Sequence, residues 1–235
     1  MNYLYLLLDI GSLSLPFIFS FHPKLKFYKK WKALFLSIFI MMLVFIPWDI
    51  IFTKNGIWGF NETYFSGVYL SNLPMEEWLF FICIPFACVF THYSLIYFFP
   101  KMALEEKNVT LITHIFTAVL LLISVIYYDK WYTLINSIYA IILLVLVKLL
   151  SAEILKTFYL TFLVILIPFF IVNGVLTGSF IEESIVWYNN DENLGIRLGT
   201  IPIEDAVYAF TMLLTVLVLT DYFDKKWTKV TSHPK

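Results

Sequence analysis

Long apolar runs, each ended by a few Pro, Asn, Gly or charged positions, recur along the whole 235-residue chain. A helix needs about 20 such residues to cross bilayer hydrocarbon, because it advances about 1.5 Å per residue and satisfies its own backbone polar groups. Runs near that length cover residues 2 to 21, 33 to 53, 75 to 99, 109 to 128, 131 to 150, 157 to 176 and 203 to 223. The pattern predicts an all-α, polytopic membrane protein of seven transmembrane helices, with no stretch left over for a separate soluble domain. The first run lacks a basic flank and a small-residue cleavage site and carries Asp9, so it reads as a span and not as a removable signal.

Composition agrees: 60% of residues are hydrophobic and 14% charged, more apolar surface than a soluble fold can hide. A net charge of −1 gives no reason to expect a nucleic-acid partner. Charge informs orientation instead. With seven spans, all Lys and Arg residues except Lys54, Lys130 and Arg197 fall on one side, the majority set including Lys24 to Lys32, Lys148, Lys156, Lys225, Lys229 and Lys235. The positive-inside rule then puts the N-terminus outside and the C-terminus in the cytoplasm. Cys83 and Cys88 are five apart on one expected helix, turned too far from each other to share a metal or a disulfide.

The two longest polar connections, near 54 to 74 and 177 to 202, fall on the outer side and resemble each other. At an offset of 128 positions Ile57 matches Ile185, Asn61 matches Asn189, Gly67 matches Gly195 and Leu70 matches Leu198. The match continues without a gap through Pro74/Pro202, Glu76/Glu204, Glu77/Asp205 and Phe80/Tyr208. Identities at Asn, Gly, Pro and Glu are not explained by shared apolar composition, so the chain reads as an internal duplication. Residues 1–100 form one three-helix repeat and 131–235 the other. Residues 101–130 supply a linking helix that leaves the two repeats parallel.

The repeated element is Pro-x-Glu-[Glu/Asp]-x-x-[Phe/Tyr], and in both copies it opens a span. Proline and carboxylates are ordinary residues in a first helical turn, where the proline lacks an N–H that is unneeded and the acids meet the positive end of the helix dipole. A cap needs one acid, however, and here both spans carry two. Ionisable groups at membrane depth are costly and point to function. Asp9 and Asn136 fall in the outer halves of the first and fifth spans, and Asp49 and Asn173 near the outer ends of the second and sixth. Together they predict a polar layer inside an otherwise apolar bundle. Burial and a neighbouring carboxylate let one acid of such a pair stay protonated, able to protonate an alkene. Aromatic faces stabilise the resulting carbocation, with Phe80, Phe81, Tyr208 and Phe210 the candidates nearest the motifs.

These duplicated motifs, each at the start of a span in a seven-helix chain, resemble the lycopene cyclase domain family in its fused single-chain form. The resemblance implies a lyase or isomerase reaction on a linear carotenoid such as lycopene. The terminal double bond is protonated, a β- or ε-type ring closes through a carbocation, and a proton is lost with no net redox change. It implies Glu76, Glu77, Glu204 and Asp205 as acid/base residues, with Glu76 and Glu204 the first choices as proton donors. No cofactor is implied. The expected surroundings are a prokaryotic plasma membrane and other carotenoid-pathway enzymes.

Other membrane classes fit less well. A retinal protein needs a lysine in mid-helix seven, where none stands. Di-iron enzymes need clustered histidines, and His22, His92, His114 and His233 are isolated. Prenyltransferases need aspartate-rich Mg²⁺ motifs, and flavin-dependent cyclases a G-x-G-x-x-G fingerprint, neither of which occurs. The remaining alternative is a small proton-coupled transporter or a carotenoid-binding membrane protein.

Overall fold

A computed structural model describes residues 3–232, with side chains through Thr228. Asn2 at the start of the first expected span, the Lys229 side chain, His233 and Lys235 lie outside the described residues. The apolar runs become seven helices: α1 Leu4–Phe19, α2 Trp31–Lys54, α3 Met75–Phe98, α4 Glu106–Ile126, α5 Trp131–Leu150, α6 Ala152–Leu176 and α7 Ile203–Ser232. Helices α2 to α7 are long and apolar enough to cross a membrane, whereas α1 has 16 residues. The sixth run starts five residues earlier than its hydropathy suggests, because Ser151 alone breaks the chain between α5 and α6.

The connections after α2 and α6 add what an all-α reading omits, namely short strands. These are β1 Trp58–Phe60, β2 Tyr69–Leu70, β3 Leu73–Pro74, β4 Val186–Tyr188, β5 Arg197–Leu198 and β6 Ile201–Pro202. Pro74 and Pro202 hold extended backbone just before α3 and α7, and each closes a two-residue hairpin, β2 with β3 and β5 with β6. The turn residue Ser71 and its counterpart Gly199 both adopt positive φ, 60° and 67°. Residues 128 positions apart also make the same backbone bonds: Met75 N–H to Val68 O at 2.9 Å, and Ile203 N–H to Ile196 O at 3.0 Å.

Strands β1 and β4 pair antiparallel and join the two connections. Beside them Asn61 N–H bonds Ile185 O and Asn189 N–H bonds Ile57 O, a reciprocal exchange. The helices follow a similar scheme. α1 packs on α3 as α5 packs on α7, while α2 lies against α7 and α6 against α3. The main core runs through the bundle centre, with Leu34, Phe45, Leu144, Leu155 and Leu214 fully enclosed. At the end opposite the strands, Lys30 pairs with Asp224 and ties the start of α2 to the end of α7.

Candidate active site

The first turns of α3 and α7 each place two neighbouring acids about 100° apart around the helix, so the members of a pair face different surroundings. Glu76 and Glu204 turn back toward their own connections. Glu76 Oε1 accepts the Ser66 N–H at 2.8 Å, and Glu204 Oε1 accepts the Leu194 N–H at 2.7 Å and the Thr133 hydroxyl at 2.6 Å. Both are buried, and in each the second carboxyl oxygen has no hydrogen-bond partner among the described residues. Asp9 is buried beside Glu76, and Asn136 donates to the Glu204 carbonyl at 2.7 Å.

Glu77 and Asp205 face inward, onto a cavity of about 660 Å³ walled by α1, α3, α6 and α7 and roofed by β1 and β4. Asp49, near the end of α2, lines the same space. The Tyr5 hydroxyl donates to Glu77 Oε2 at 2.5 Å, and the Trp58 indole N–H donates to Asp49 Oδ1 at 2.5 Å. The other Asp49 oxygen has no hydrogen-bond partner among the described residues, and the Asp49 and Glu77 carboxyls are close neighbours. Two carboxyls that close repel each other when both are ionised and are joined when one proton lies between them.

Asp205 has a different shell. Tyr132 donates to Oδ1 at 2.6 Å, while Tyr188 and Asn173 donate to Oδ2 at 2.9 and 3.0 Å. Burial and the adjacent Asp205 push the Tyr188 hydroxyl well above the usual tyrosine range, so it stays a donor. Three neutral donors and no acceptor fit the ionised, acceptor-only form of a carboxyl group. The Arg197 guanidinium lies 5.5 Å from the centre of the Tyr188 ring.

Aromatic walls complete the polar end. Phe80, Trp58 and Tyr208 line the cavity, and the Tyr208 ring is braced 5.1 Å from both Phe45 and Trp48. Phe81 and Phe210, also singled out from the sequence, do not line it. Phe81 packs on Phe45, and Phe210 sits among Phe116, Phe158 and Phe162, because their positions turn them away from the cavity-facing stripes of α3 and α7. Among the described residues no three His, Cys, Asp or Glu side chains are grouped to hold a metal ion.

Tyr5, Tyr132, Tyr188, Trp58 and Thr133 were not among the residues expected from the sequence. A signal for two of them existed: Tyr5 precedes Asp9 by four residues, as Tyr132 precedes Asn136. An aromatic one helical turn before a buried polar residue therefore recurs in both halves. Tyr188 carried a further signal, since it stands 128 positions after Phe60 in the duplicated sequence and both line the cavity, whereas nothing comparable marks Trp58; Trp58 and Tyr188 reach the site from strands.

Two stretches of the chain, residues 2–95 and 129–223, match the family model described as lycopene cyclase. No curated protein and no solved structure matches the chain.

Proposed function

Because the chain belongs to the lycopene cyclase family, we propose that it is a membrane-embedded carotenoid cyclase that closes a β- or ε-type end ring on lycopene or a related linear carotenoid, an isomerisation without net redox change. All seven helices cross the bilayer as two parallel repeats, residues 1–100 and 131–235, linked by α4. The N-terminus lies outside and the C-terminus in the cytoplasm, in accord with the lysine asymmetry.

Glu77 is the proton donor, with Asp49 sharing its proton at rest, and Asp205 is the base. Transfer of the Glu77 proton to the terminal alkene forms a C–H bond and leaves a tertiary carbocation. A neighbouring double bond attacks it, forming the ring C–C bond and moving the positive charge onto the ring. Loss of a ring proton to Asp205 restores an alkene, and return of that proton to the Glu77–Asp49 pair resets the site. Tyr208, Trp58 and Phe80 present π faces to the cation, an interaction of about 2 kcal/mol when desolvated. Glu76 and Glu204, with Asp9 and Asn136 behind them, position the two motifs by holding their connections.

The observation that carries this reading is one apolar cavity with Asp49, Glu77 and Asp205 gathered at its end. Expression in bacteria that accumulate lycopene tests it. Cyclic carotenoid in the pigment extract is expected, and unchanged lycopene in cells whose membranes contain the protein contradicts it.

A further inference from the structure

The cavity continues well past its acids. Glu77, Phe80, Ile84, Ala87 and Thr91 form one stripe along α3 and all line it, so it extends roughly 21 Å along that helix at 1.5 Å per residue. Helices α1 and α6 wall this stripe. Their rim residues Leu7, Leu15 and Ile171 are more than half exposed, at 56%, 63% and 64%, on surfaces that face hydrocarbon in a membrane. Between the two leucines stands Gly11, itself exposed, with nothing within 4 Å of the place a Cβ would take. The space is therefore a slot open sideways, and its wall is overwhelmingly apolar away from the acids. At the far end Thr91 turns its hydroxyl back onto the Ala87 carbonyl at 2.8 Å.

We infer, resting on the cyclase reading, that the slot between α1 and α6 is a lateral doorway from the bilayer. A linear polyene enters through it end-first and lies along α3 with one end group at the acids. A molecule without polar groups dissolves in hydrocarbon and would have to expose its whole apolar surface to reach the acids through water, so the route of lowest cost stays inside the membrane. The slot has acids at one end only, so each binding event presents one end group, and a second ring requires release and re-entry in the opposite sense.

Gly11→Trp puts an indole in the doorway, away from the acids, and removes a glycine that a helix interior does not favour. Ala87→Phe fills the floor from α3 and serves as a second, independent block. Leu122→Trp places the same indole at a lipid-facing site on α4, where the leucine is 61% exposed. Rates of ring formation from lycopene, per unit of inserted protein, are expected to fall at least about tenfold in both blocking variants and to stay near wild type in Leu122→Trp. Excess lycopene is expected to suppress any two-ring product in favour of the one-ring product. Wild-type rates in both blocking variants overturn the doorway, as does an equal loss in Leu122→Trp. Two-ring product that excess lycopene does not suppress overturns the one-end rule. A wild-type protein that forms no ring contradicts the cyclase reading itself, a different result from a wild type that cyclises together with its blocked variants.

Discussion

Gly59 pairs across the β1–β4 ladder with Trp187, the residue 128 positions later, so that the junction between the two connections is made by equivalent positions of the duplicated sequence. The pairing needs glycine on one side. A Cβ at Gly59 falls 2.4 Å from the Trp187 ring, closer than any real contact. Gly59→Ala is expected to destabilise the protein by about 1–3 kcal/mol, the usual range for overpacking. With Trp187→Ala already present the same change should cost far less. Thermal unfolding in detergent, run as a double-mutant cycle, checks this non-additivity.

The Asp205 shell gives a second expectation. Tyr188→Phe removes one of three donors and leaves the ring in place. Hydrogen bonds to charged groups are worth about 1.5–3 kcal/mol, so the rate of ring formation should fall roughly 10- to 100-fold with little loss of inserted protein. Tyr132→Phe should act the same way through Oδ1. A rate unchanged by both substitutions would mean that Asp205 is not the base.

The neighbouring acids should respond to a different chemistry. In Glu76→Gln and Glu204→Gln an amide oxygen can still accept the Ser66 or Leu194 N–H. In the corresponding alanine variants that acceptor is gone and a buried N–H is left unpaired, at a cost of about 1–3 kcal/mol. Glutamine variants should therefore retain activity within about tenfold of wild type, and alanine variants should lose inserted protein first. Quantified membrane protein and ring formation, measured together, separate the two.

Most of the helical architecture was legible because a membrane span is a one-dimensional signal: the run from Trp131 to Leu150 can be read from hydropathy alone. The duplication was equally legible, since Pro74/Pro202 and Glu76/Glu204 keep one offset. The ladder between Trp58–Phe60 and Val186–Tyr188 was not, because nothing local specifies a partner that far along the chain. For the same reason the contacts of Trp58 with Asp49 and of Tyr188 with Asp205 were not legible. The choice between adjacent acids also lay beyond the sequence. Glu76 and Glu77 share a helical turn, and only the packing of α1 and α2 around α3 decides that Glu77 meets the cavity while Glu76 meets the backbone of its own connection.

That choice is where the account is most exposed, and Glu77→Gln tests it most directly. The substitution keeps the size of the side chain and removes the transferable proton. General acid catalysis contributes about 10²- to 10⁴-fold, so ring formation in lycopene-containing membranes should drop by at least about 100-fold at equal protein level. Ring formation at the wild-type rate would contradict the assignment of Glu77 as the acid that starts the reaction.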